Sequence, residues 1–169
     1  GITDIGGDTF GFCDNLAELL LPKSLKTIGD GAFTSCYQLR SLKIPAGVVE
    51  IGRYAFEQCN GLREVIFEGA PPKFDDAAFL GVNTVIVYPA DNPAWTADVM
   101  RHYGGNLSYT GTRWTLEDGI LTISGTGPMV DYTYASVPWY SEYEAITGIV
   151  IEEGVTTIGD YAFQACRSL

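Results

Sequence analysis

The sequence predicts an α/β repeat solenoid in which short strands stack in parallel, short helices link them, and a β-hairpin caps a second array. Three observations carry this prediction. The first is a period of 23 residues that relates Ile5, Ile28 and Ile51, then Phe10, Phe33, Phe56 and Phe79, then Cys13, Cys36 and Cys59, then Leu16, Leu39 and Leu62. The second is the pattern within each period, I-G-x-x-A-F-x-x-C-x-x-L-x-x-L-x-I-P. It is clearest from Leu25 to Pro45 and returns from Ile158 to Leu169. The third is a pair of alternating apolar runs, Trp114–Leu116 and Ile120–Ile123, around Glu117-Asp118-Gly119. A fixed period of roughly 20–50 residues marks units that cannot bury their apolar face alone and gain stability from their neighbours.

In chain order, residues 1–22 hold the tail of one unit and its strand, with Ile2 and Ile5 facing in and Leu16, Leu19 and Leu21 leading to Pro22. Residues 23–45 and 46–68 are two full units. Gly29 or Asp30 is placed to cap a short helix that buries Ala32, Phe33 and Cys36 at helical spacing. Leu42 and Ile44 alternate with Ser41 and Lys43, the period of a half-buried strand. Pro45 ends the ladder because it has no N–H. A second extended piece, Val48–Ile51, carries the chain back. In residues 69–111 Phe79 keeps the period, Val82 replaces the cysteine, and the spacing to Pro89 shortens. Asn92, Pro93 and Gly104 then suit the cap, first position and stop of a helix that covers the last apolar layer, with Trp95 and Val99 on one side. The first domain is thus 1–111.

The second domain, 112–169, opens on the hairpin, since Asp118-Gly119 supplies the positive φ that a tight hairpin turn needs. An aromatic, turn-rich stretch follows, with a short helix expected at Pro138–Tyr143. Ile146, Ile149 and Ile151 then resume the strand pattern, and Val155–Leu169 resume the repeat. The chain starts and stops inside repeats, which reads as a piece of a longer protein. Its last unit lacks a following strand, so an open edge or apolar layer is expected there, with pairing between copies.

Composition excludes several classes. Lys plus Arg number 10 and Asp plus Glu 21, a net charge of −11, which opposes nucleic-acid binding and anionic membranes. No apolar run reaches the roughly 18 residues of a membrane helix, and no signal-peptide pattern opens the chain. The four cysteines, Cys13, Cys36, Cys59 and Cys166, fill one slot of the repeat. Stacking would set their Cβ vectors parallel, so they read as free, buried thiols rather than bridges.

The repeated I-G-x-x-A-F-x-x-C-x-x-L, followed by a strand ending in I-P, resembles the BspA-like leucine-rich repeat family of bacterial surface proteins. The likeness covers residues 1–88 and 146–169. It departs at Val82, in the shortened fourth unit, and at Glu68, where Pro would stand. The resemblance implies a right-handed leucine-rich repeat superhelix, export to the cell surface, and a role in adhesion or protein binding.

Motifs for chemistry are sparse. The lone histidine, His102, falls on the expected end helix beside Tyr103, and the cysteines lack zinc spacing. Ser124-Gly125-Thr126-Gly127 is not a nucleophile elbow, and Gly125-Thr126-Gly127-Pro128 lacks the third glycine of a dinucleotide loop. Asp75-Asp76 and Glu152-Glu153 read as solvated turns, and Asn106-Leu107-Ser108 is a formal glycosylation sequon. No cofactor or metal is expected; the leading reading is a non-catalytic binding module, with a purely structural spacer and a carbohydrate-binding or carbohydrate-active fragment as its alternatives. Two surfaces are candidates for binding a protein, an extracellular-matrix ligand or a glycan. One is the outward strand face: Glu18 and Leu20, Ser41 and Lys43, Glu64 and Ile66, then Gly148 and Val150. It is either simply the outer side of a sheet or a contact patch in which Leu20 and Ile66 flank Lys43. The other is the group Tyr132, Tyr134, Trp139, Tyr140 and Tyr143, which is either the small core of the joint or a site for sugar stacking or a protein hot spot.

Overall fold

The computed structural model of the chain describes residues 1–75, 77–96, 99, 106–133 and 137–169, with the side chain of Asn106 outside that description. It has two compact units, Gly1–Ser108 and Tyr109–Leu169.

The first unit is a β-solenoid with two sheets of short strands. One sheet runs β1 (Asp4–Ile5), β2 (Thr27–Ile28), β4 (Glu50–Ile51), β6 (Lys73–Phe74), every pair parallel. The other runs β3 (Ser41–Ile44), β5 (Glu64–Phe67), β7 (Asn83–Val87), β8 (Asn106–Thr110). Register follows the 23-residue period from Leu42 to Val65 and is kept across the shortened fourth unit, where Val65 lies beside Ile86, 21 residues on; all three are buried. Between the sheets Phe10, Phe33, Phe56 and Phe79 form one column, with ring centroids 5.2, 5.4 and 5.1 Å apart. Equivalent side chains of successive coils therefore lie over one another, as the period requires.

The expected short helices are absent, and the α/β class is corrected to a β-solenoid. Among the described residues the repeats hold consecutive turns where helices were expected. The cause lies in the backbone donors. The N–H of Phe33 donates to the Ala55 carbonyl of the next coil (2.8 Å) and that of Ser35 to Glu57 (2.7 Å). The coils before and after repeat the pattern with Phe10 to Ala32 and Phe56 to Ala78, 2.8 Å each. Donors used between coils cannot close the i→i−4 bonds of an α-helix. Two slots per coil are also left-handed, for example Gly31 and Ser35 (φ 63° and 60°), then Tyr54 and Gln58 (57° and 58°), a conformation that no α-helix admits. The glycine of the I-G pair has a separate reason: a Cβ on Gly29 would stand 2.7 Å from the backbone nitrogen of Gly7 in the coil before.

The cysteine slot is only partly buried. Cys36 and Cys59 are fully enclosed, and their thiols donate to the carbonyls of Phe10 (3.1 Å) and Phe33 (3.0 Å) one coil back. Burial pushes the Cys59 thiol up to about 12 and raises that of Cys36. Cys13, expected to be buried, lies in the outermost coil and is exposed; Cys166 is half-buried. All four are free. Val82 fills the slot as a buried residue. Most of the helix expected at Asn92–Gly104 lies outside the described residues, and residues 92–96, where it was expected to begin, form a turn. The Asn92 side chain accepts from the Ala94 N–H, and buried Trp95 packs on Phe67 (5.1 Å) with its indole N–H donating to the Gly69 carbonyl (2.9 Å).

The second unit contains the expected hairpin, β9 (Thr112–Glu117) with β10 (Ile120–Gly125), antiparallel, turning through Asp118 and Gly119 at φ 49° and 78°. β10 also pairs in parallel with β12 (Gly148–Ile151), and β11 (Gly127–Pro128) with β13 (Val155–Thr157). The helix expected at Pro138–Tyr143 is a 3-10 helix at Tyr140–Ala145.

Candidate binding faces

Because side chains alternate across a strand, the outward residues of the β3–β5–β7 sheet are Ser41, Glu64 and Val85 in one row and Lys43, Ile66 and Val87 in the next. Ser41 and Lys43 are exposed and Ile66 is half-buried. Glu64, expected on the open face, is only 4% exposed. It occupies the central strand, and its outward neighbours toward β7, Val85 and Val87, are buried as well. The face is therefore open at β3 and covered at β7. Glu18 and Leu20 correct the expectation in another way. Their stretch forms no strand and takes no part in the β3 ladder, although both are exposed, Leu20 to 94%. In the second unit Gly148 is half-buried and Val150 exposed on β12.

The aromatic group divides. Trp139 (1% exposed) and Tyr132 are core, in edge contact at 5.7 Å, and Trp114 meets Trp139 edge-on at 5.9 Å. Neither buried ring presents a face for sugar stacking. Tyr140 and Tyr143 are half-buried and stack on each other at 5.4 Å. Tyr134 lies outside the described residues, as do His102 and Asp76.

A shallow pocket was not foreseen. Asp30, Glu50, Arg53, Lys73 and Asp75 line about 150 Å³ beside β4 and β6. The Asp30 carboxylate accepts from the Arg53 N–H (2.8 Å), and the Arg53 guanidinium lies over the Tyr54 ring (4.6 Å) with its Nε 4.0 Å from Asp75. The available signal was the outward slot Asp4, Thr27, Glu50, Lys73, spaced by 23 residues. In that row the Thr27 hydroxyl donates to Asp4, and hydrogen bonds from Thr27 and Thr3 hold the Asp4 carboxyl below its usual range.

Among the described residues no three His, Cys, Asp or Glu side chains gather as a metal would require, and no helix is long and apolar enough to cross a membrane. Stacked parallel coils, an aromatic column and an open outer strand define a repeat-solenoid protein. The family comparison agrees with that class. The family described as "BspA type Leucine rich repeat region" matches residues 1–89 and 138–169 in six copies, and the chain belongs to this family. No curated protein matches. Among solved structures, a leucine-rich repeat protein from Bacteroides ovatus ATCC 8483 is similar at 18% identity and a TM-score of 0.33. The match covers 100% of this chain and 45% of that one. The chain thus spans less than half the length of that protein.

Proposed function

We propose that the chain is a non-catalytic binding module, displayed at a cell surface, that engages a protein or extracellular-matrix ligand through the open side of its strand face. The observation that carries this reading is exposed Lys43 beside half-buried Ile66 on adjacent strands, with Leu20 almost wholly exposed in the coil before, off the ladder. Apolar side chains left open on a surface mark contact patches. The mechanism is shape: the phenylalanine column fixes the coils, and each strand then presents side chains about 4.8 Å from those of its neighbour. Family membership supports protein binding as the class of activity.

The test is a binding screen of the full chain against immobilised matrix proteins and a glycan array, repeated with Leu20→Ala, Lys43→Ala and Ile66→Ala combined. A hit that weakens at least tenfold in the triple variant supports the proposal. No hit, or a hit that the triple variant retains, refutes it. A spacer role is the second reading. Continuous stacking of four aromatic rings along one array favours it, since such a core resists bending. Whole-cell adhesion left intact by the triple variant would select it.

A further inference from the structure

Residues 121–139 keep only the L-x-I strand of the repeat pattern, at Leu121 and Ile123, and lie largely outside the family match, which resumes at residue 138. The contacts of residues 121–133 and 137–139 nevertheless reproduce several of those of a repeat coil. Between two ordinary coils, Asp30 accepts from the Arg53 N–H (2.8 Å), and the Gly31 N–H donates to the Arg53 carbonyl (2.8 Å). In the second unit Asp131 accepts from the Asp160 N–H (2.9 Å), and the Tyr132 N–H donates to the Asp160 carbonyl (3.0 Å). Asp160 stands in the slot of Arg53. Leu121 and Ile123 lie beside Ile149 and Ile151 as Leu42 and Ile44 lie beside Val65 and Phe67. Met129, buried, stands two residues before Asp131, as Ile28 stands before Asp30.

Trp139 completes the correspondence. In the first unit Phe10, Phe33 and Phe56 each make two contacts with the next coil: the ring stacks on the next ring, and the backbone N–H donates to the alanine carbonyl. Trp139 stacks on Phe163 (6.0 Å, 23° between planes), and its indole N–H donates to the Ala162 carbonyl (3.1 Å). One side chain thus replaces both the ring and the backbone donor. The other edge of β10 is taken by antiparallel β9, which ends the parallel ladder.

We infer that residues 121–133 and 137–139 form the opening coil of the second array, built from sequence that lacks the I-G-x-x-A-F-x-x-C pattern, and that Trp139 is the positioning residue that sets its register on the coil that follows. The role is confined to the second unit, so the first unit serves as its internal reference.

The test is hydrogen exchange on the full chain, resolved by segment, for Trp139→Phe and Asp131→Ala. Trp139→Phe keeps a ring, removes the donor and leaves a small cavity, and the hairpin amides report the packing part of the loss. Leaving a buried carbonyl unpaired should speed exchange at Tyr132 and Asp160 about tenfold or more. The hairpin amides between β9 and β10 should speed up less, and the first-unit amides of Gly31 and Phe33 should be unchanged. Asp131→Ala, at an exposed position that does not endanger folding, should speed exchange at Asp160 specifically. Unchanged exchange at Tyr132 and Asp160 in both variants would overturn the inference. So would equal acceleration in the hairpin, which would mean Trp139 is only general packing.

Discussion

Phe33→Ala tests the column on which the first unit rests. Phe33 is fully buried, with Phe10 5.2 Å below and Phe56 5.4 Å above in near-parallel planes. Removing such a ring costs about 3–5 kcal/mol, cavity included, and two stacked contacts, each of about 0.5–1.5 kcal/mol, place it toward the upper end. Phe10 is half-buried and stacks on one ring only. Burying a whole phenylalanine is worth about 1.5–3 kcal/mol, so Phe10→Ala should cost roughly half of that. Urea denaturation followed by far-ultraviolet circular dichroism measures both. With a slope of about 1.5 kcal/mol per molar, Phe33→Ala should lower the midpoint of the first-unit transition by about 2–3 M and Phe10→Ala by under 1 M. Because two units need not unfold together, the second-unit transition should stay in place. Equal losses from the two variants, or an unmoved midpoint for Phe33→Ala, would refute the column as the source of stability.

Other outcomes follow from the same core. In native protein at pH 8 a thiol reagent should label Cys13 promptly and Cys36 and Cys59 only as fast as the coils open; mass mapping of the labelled peptides checks this, and prompt labelling of Cys59 would contradict it. Burial raises the Cys59 thiol to about 12 from the ordinary value of 9. Above pH 9 the unfolded chain ionises while the folded chain does not, so this contribution to stability is intact below pH 9 and declines toward pH 12, at up to about 1.4 kcal/mol per pH unit. Thermal unfolding at pH 8, 9.5 and 11, compared with Cys59→Ala, should show the steeper fall in the wild type. Thr84 is buried, and among the described residues its hydroxyl has no hydrogen-bond partner. Thr84→Val should therefore raise stability by about 1 kcal/mol, and a lower urea midpoint would show that the hydroxyl is used. Ile151, Ile158 and Leu169 are exposed in the last coil, and association of copies through such layers should appear as a concentration-dependent mass in light scattering. A constant monomer mass at millimolar chain would exclude it.

The period was legible because the inward slots demand the same chemistry in every coil. Ile, Phe, Cys and Leu recur every 23 residues wherever a coil is sandwiched, and the rings do form one stack. The turns were misread as helices because Ala32, Phe33 and Cys36 have the spacing that both geometries share. The deciding signal, two left-handed positions per coil, is muted by Ser35, Tyr54 and Gln58, which adopt positive φ without being glycine. Glu64 was correctly placed on an outward row by strand alternation, but its burial depends on what covers the β7 end, which a local pattern cannot express. The opening coil was least legible of all. Met129 and Trp139 fill the isoleucine and phenylalanine slots at a separation of ten residues, where Ile51 and Phe56 are five apart.

The division between fixed and variable slots bears on recognition. Inward positions are tied by backbone bonds between coils, by the phenylalanine stack and by thiol-to-carbonyl contacts, so a substitution there is felt by two neighbours. Outward positions carry fewer such ties, Thr27 to Asp4 being one, and their chemistry changes from coil to coil: Asp4, Thr27, Glu50, Lys73 along one sheet and Lys43 and Ile66 along the open part of the other. A ligand reading these rows meets a different side chain about every 4.8 Å on a support that does not depend on which one it is. Stability and specificity are then separable. The triple change at Leu20, Lys43 and Ile66 should abolish binding while lowering the urea midpoint by under about 1 M, whereas Phe33→Ala should move the midpoint by about 2–3 M and weaken binding only as far as it unfolds the face.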